Sequence, residues 1–94
     1  MDTSEAVRLA EDVAARLRTE PYGTLVDRLL GKPEVTEVVG PSGTPYQVEI
    51  EAFWDSGKPG DLRVMVAVDD GGFRAFVPLT TDFIMSPDGS FIGE

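Results

Sequence analysis

The 94-residue chain has no cysteine and no histidine, and its only lysines are Lys32 and Lys58. Each absence removes a class of chemistry. Without histidine there is no side chain whose ordinary pKa lies near neutrality, and the commonest metal ligand is missing. Without cysteine as well, a typical zinc site and a thiol nucleophile are excluded. Catalysis would have to rest on Asp, Glu, Lys, Tyr, Ser or Thr. No G-x-S-x-G elbow occurs, and neither lysine, each beside a proline, reads as a buried Schiff-base former. No cofactor and no metal is expected. No apolar run approaches the ~18 residues that cross a bilayer. The N-terminal MDTSEAVRLAEDVAARL is acidic and periodic, without a basic n-region and apolar h-region. A cytoplasmic location is therefore expected, and the lack of cysteine fits it.

Charge of one sign dominates. The formal net charge is −9, with −3 on residues 1–47 and −6 on residues 48–94. Such a field opposes phosphate binding and anionic membranes, so neither nucleic acid nor a membrane is an expected partner. It leaves a basic protein surface as an attractive partner, although acidic charge also serves solubility alone. With 41% hydrophobic and 27% charged residues, the chain is expected to be one globular domain. Residues 1–33 form its helical part and residues 34–94 its sheet part.

The helical part reads as two elements. Over residues 4–18, Val7, Ala10, Val13, Ala14 and Leu17 recur at helical spacing. Glu5–Arg8 and Asp12–Arg16 are placed to pair along the solvated side. Pro21 bends the chain into a second helix over residues 21–30, with Tyr22, Leu25, Val26, Leu29 and Leu30 on its apolar side. Gly31 suits the C-terminal cap and Pro33 blocks continuation.

The sheet part centres on three runs, Tyr46–Trp54, Leu62–Val68 and Phe73–Leu79, preceded by a strand at Glu34–Val39 that reads as an edge. The loop 55–61 joins the first pair of runs. Asp69-Asp70-Gly71-Gly72 reads as a tight turn joining the second pair. In that register Trp54 faces Leu62, Ala52 faces Val64, Ile50 faces Val66 and Val48 faces Val68. The third run then sets Val77 against Val64 and Leu79 against Leu62. All of these share one uniformly apolar face, which the helices should cover. The other face mixes Glu49, Glu51, Phe53, Arg63, Met65, Arg74 and Phe76, in the rows Glu49–Ala67–Arg74, Glu51–Met65–Phe76 and Phe53–Arg63–Pro78. This mixed face is the candidate interaction surface. It is expected either to lie under the tail, residues 80–94, or to meet a partner. Ser86-Pro87-Asp88-Gly89 reads as a turn between two short strands of that tail.

The expected architecture is therefore α+β, with two N-terminal helices on one face of a four-stranded, mostly antiparallel meander and a C-terminal hairpin or strand. Glu49 and Glu51, two apart on one strand, are the only pair suited to carboxylate acid–base work. Arg63 and Arg74 are expected nearby and would keep both ionised. The function expected first is a non-catalytic, acidic protein–protein interaction module. An immunity or antitoxin-like protein neutralising a basic partner is the second reading, a carboxylate-dependent hydrolase the third. A homodimer pairing edge strands is a further arrangement.

Four resemblances accompany these readings. The run YQVEIEAFWDSGKPGDLRVMVAVDDGGFRAFVPLTTDFIMSPDGSFIGE resembles small single-domain bacterial proteins of about this length. The six arginines against two lysines resemble the usage of a GC-rich, actinobacterial genome. That resemblance implies no activity and no site residues. Small acidic α+β domains of this general look also resemble bacterial immunity proteins. MSPDGSFIGE is similar to the turn in β-propeller blades, but it occurs once, and only the local turn is implied.

Overall fold

The computed structural model describes residues 3–71 and 78–94. Its elements are α1 (Thr3–Leu17), α2 (Tyr22–Leu29), β1 (Glu34–Val39), β2 (Pro45–Trp54), β3 (Leu62–Asp69) and β4 (Leu79–Met85). The four strands form one antiparallel sheet in the order β1-β2-β3-β4. This is the α+β class read from the sequence. No helix among the described residues is long and apolar enough to cross a membrane.

The helices form where the pattern places them. Pro21 is extended (φ −61°, ψ 151°) and starts α2 without a side-chain cap. Beyond Leu30, Gly31 takes φ 67°, a left-handed conformation that a Cβ disfavours. Eight residues are too few for a helix stable alone, so α2 depends on docking. Leu25 and Leu29 are fully buried, and Tyr22 Oη donates to Gly60 O at 2.6 Å. The buried side of α1 is Ala6, Ala10, Val13, Ala14 and Leu17, with Val7 only half-buried. Ala6 therefore belongs to the stripe. Ala6, Ala10 and Ala14 recur every four residues, and their small side chains let α1 lie close to β3 and β4.

The β2–β3 register matches the expected one at every position, from Trp54 opposite Leu62 to Val48 opposite Val68. Val64, Val66 and Val68 are completely buried. Each contributes about 1.5–3 kcal/mol of hydrophobic stabilisation. Trp54 is half-buried at the margin of this core, as its parity suggests.

The next strand pair corrects the reading. Leu79 lies opposite Val68, not Leu62, and Leu62 lies opposite Met85. Among the described residues the strand that follows β3 and pairs with it is β4, and it begins six residues beyond the expected Phe73. The expected run Phe73–Leu79 falls outside the described residues except for its end. The physical reason lies in the tail. Leu79, Thr81, Phe83 and Met85 alternate as well as the expected run does, and this register buries Phe83 and Met85 in the core.

The chain then turns through Ser86–Ser90. Ser86 N–H donates to Ser90 O at 2.8 Å, and Gly89 takes φ 88°. Met85 bridges Phe91, and Ile92 N–H donates to Ile84 O. The expected C-terminal hairpin is present, and it extends the sheet beside β4 rather than folding across the open face. Phe83 and Phe91 meet edge to face at 5.8 Å between centroids. The Arg18 guanidinium lies 5.2 Å from the centroid of each ring and pairs with Glu94 at 2.6 Å. The end of α1 thus fastens the tail.

Candidate functional site

Both helices pack on the face that carries Val48, Ala52, Val64, Val66 and Phe83. Antiparallel pairing sets directly opposed residues on the same side, so the register defines what the other face presents. Its rows are Val35–Glu49–Ala67–Thr80, Glu51–Met65–Asp82 and Phe53–Arg63–Ile84, with Glu37–Gln47–Asp69 and Val39–Pro45 toward the opposite end. The expected first and second members of each row are in place. Their third members are Thr80, Asp82 and Ile84. Arg74 and Phe76, expected there, lie outside the described residues.

This face holds an unusual mixture. Four large apolar residues of the described chain are exposed: Val35 at 57%, Val39 at 63%, Phe53 at 39% and Ile92 at 45%. The first three stand on the open face, and Ile92 lies beside Ile84, which shares it. The tail leaves Phe53 uncovered, contrary to the expected cover, because its own apolar side is spent on the core. Met65 and Ile84 are half-buried between these residues and their neighbours.

The electrostatics are one-sided. Glu37, Glu49, Glu51, Asp69 and Asp82 all belong to this face, and Arg63 is its cation among the described residues. Arg63 was expected to pair with Glu49 and Glu51. Instead it donates to Asp55 at the end of β2 (Nε to Oδ1 2.9 Å) and, from Nη1, to Asp82 across the ladder. Asp55 first, then Asp82, raises the guanidinium pKa further above its ordinary value. Asp55 is reached because it begins the loop beyond Phe53 and Trp54, and Asp82 because it sits diagonally across β4. Glu49 and Glu51 consequently have no hydrogen bond or ion pair among the described residues. They stand side by side on the open face, Glu49 exposed and Glu51 half-buried, and none of the grooves described below is lined by them.

A second polar cluster joins the helices to the sheet. Glu5, which the helical spacing pairs with Arg8, turns instead to the β1–β2 hairpin. Its carboxylate accepts from Ser42 N–H (3.0 Å), Ser42 Oγ (2.7 Å) and the buried Tyr46 Oη (2.7 Å). These bonds, Ser42 first, hold the Glu5 carboxyl below its ordinary pKa. Gly40 makes the approach possible. A Cβ there would lie 2.7 Å from Glu5 Cδ and 2.9 Å from Tyr46 Cε2. Arg28 similarly joins Glu20 (2.7 Å) and Glu34 (2.7 and 2.9 Å). Neither Arg8 nor Arg16 forms an ion pair among the described residues.

Because α1 lies over β3 and β4 and α2 near β2, β1 is left beside open space. A groove of about 390 Å³ runs between the start of α1 and the end of β1, lined by Glu5, Arg8, Leu9, Val38 and Val39 among others. Another of about 320 Å³ follows the same side of α1 and includes Val13, Arg16, Thr36 and Val38. No sequence signal pointed to them, since they arise from which strands the helices cover. No family model, no curated protein and no solved structure matches this chain.

Proposed function

We propose that this chain is a non-catalytic protein–protein interaction module. Its docking surface is the open face of the sheet, and its partner presents lysine or arginine side chains around an apolar centre. One observation carries this reading. Exposed Val35, Val39 and Phe53 share a face with Glu37, Glu49 and Glu51, which have no ion pair among the described residues, and the single described cation there is already held by Asp55 and Asp82. An apolar patch interspersed with unpaired charge of one sign favours a partner of opposite sign. Neutralisation of a basic partner, as in an immunity-like role, is the form of this reading that the acidic surplus favours. A hydrolase is disfavoured because Glu49 and Glu51 sit on the open sheet face and line none of the grooves, without the apolar enclosure that raises a carboxyl pKa.

The test is affinity capture with three baits: wild type, Phe53→Asp and the Glu49→Lys, Glu51→Lys double variant. The captured polypeptide is identified, purified and titrated against each bait at two salt concentrations. The expected partner is basic, binds more weakly at higher salt and loses affinity for both variants. Equal affinity of a purified partner for all three baits would overturn the reading.

A further inference from the structure

The exposed edge of β1 carries an inference that rests on the reading of the sheet as a binding surface and deepens it. Gly40 N–H donates to Thr44 O at 2.9 Å, so Gly40 and Thr44 are a hydrogen-bonded pair of the β1–β2 ladder. Such pairs alternate along an antiparallel ladder. Val38–Tyr46 and Thr36–Val48 are then also hydrogen-bonded pairs, and Val39–Pro45, Glu37–Gln47 and Val35–Glu49 are not. Proline, which has no N–H, occupies the position where none is needed. The backbone N–H and C=O groups of Val35, Glu37 and Val39 therefore point away from β2, along an edge that no described element covers.

An edge of this kind accepts another strand. We propose that β1 receives an extended segment of a partner polypeptide with the pattern apolar-x-basic-x-apolar, extending the sheet to a fifth strand. The basic residue falls opposite Glu37, and the two apolar residues fall opposite Val35 and Val39, which are 57% and 63% exposed. The intervening residues fall beside Thr36 and Val38 and project over the two grooves along α1. Charge selects this occupant over a second copy of the chain. Antiparallel β1–β1 pairing that sets Val35 against Val39 also sets Glu37 against Glu37, between two molecules of net charge −9. Like charges directly opposed weaken a ladder.

The probe is a fluorescein-labelled peptide with Val-Thr-Lys-Thr-Val at its centre, followed by anisotropy, with amide hydrogen exchange on the unlabelled complex. Saturable binding is expected, with exchange slowed at the amides of Val35, Glu37 and Val39. Glu37→Lys should weaken binding about fivefold, and a peptide with Glu in place of its central Lys should restore it. Val35→Pro removes one outward donor at an edge position that tolerates proline, and should weaken binding about tenfold. No saturable binding, protection elsewhere, or indifference to the Glu37 reversal would overturn the proposal. So would a concentration-dependent dimer by light scattering that protects these same amides, since a second copy would then own the edge. Phe53→Asp separates the two readings. Peptide binding lost with Phe53→Asp but kept with Val35→Pro would refute strand addition while leaving the open face as the docking surface.

Discussion

Replacing Gly40 by alanine tests the junction between α1 and the first hairpin. The new Cβ would stand 2.7 Å from Glu5 Cδ and 2.9 Å from Tyr46 Cε2, and closer still to Glu5 Oε1. Carbon atoms settle at about 3.5–4.0 Å, so these groups must retreat by about 1 Å. The Tyr46 ring is completely buried and has nowhere to go. The Glu5 carboxylate can move, but only by stretching the 2.7 Å bonds from Ser42 Oγ and Tyr46 Oη beyond hydrogen-bonding range. Overpacking of this kind costs about 1–3 kcal/mol. For a domain of this size that lowers the melting temperature by about 5–15 °C. Circular dichroism melts of wild type, Gly40→Ala, Glu5→Ala and the double variant give the assay. The loss from Gly40→Ala should shrink but not vanish once Glu5 is alanine, because the Tyr46 contact remains. A Gly40→Ala protein that melts with wild type, or a strictly additive cycle, would refute the close-approach argument.

Other outcomes follow from the tail and its turn. Arg18→Ala removes the guanidinium between Phe83 and Phe91 and should destabilise the domain by about 1–2 kcal/mol, two cation–π contacts being lost. Chymotrypsin should then cut after Phe91 faster than in wild type, and unchanged cutting would count against the clamp. Asp88 accepts from Ser86 Oγ, Ser90 N–H and Ser90 Oγ, which lowers its pKa to about 2. A carboxyl depressed on folding stabilises above its unfolded value of ~3.9 and loses that contribution as pH falls through the folded one. The stability advantage of wild type over Asp88→Ala, read as a urea midpoint, should hold from neutrality to the ordinary carboxylate range. It should fade toward about pH 2, and an advantage that grows on acidification would contradict the turn geometry.

The sequence was most legible where short-range signals and facing residues agreed. Trp54 and Leu62 flank a short loop, and the alternation of Val48, Ile50 and Ala52 against Val64, Val66 and Val68 admits one register that keeps every apolar residue on one face. The next pairing was misread for a definable reason. Asp69-Asp70-Gly71-Gly72 has the composition of a tight hairpin turn, and sliding a strand by six residues leaves every side chain on its original face. A two-residue period cannot distinguish the two registers. What decides between them is the burial of Phe83 and Met85, a property of the whole core. The same slide explains why the open face was half legible. Glu49, Glu51, Phe53, Arg63 and Met65 stand where the pattern put them, but Asp82 and Ile84 complete their rows. The Glu5–Tyr46 bond joins residues 41 apart in the chain, and the grooves beside β1 depend on where the helices lie. Neither has a local signature.

The central claim is that the open face, and not the helical side, meets a partner. Photo-crosslinking tests it most directly, with p-benzoylphenylalanine placed at Phe53 and, as a control, at the exposed Thr24 of α2. In lysate of cells that carry the gene, position 53 should yield one defined heavier adduct that disappears with Glu49→Lys and Glu51→Lys, and position 24 should yield none. An adduct that forms equally from position 24, or no adduct from position 53, would contradict the claim.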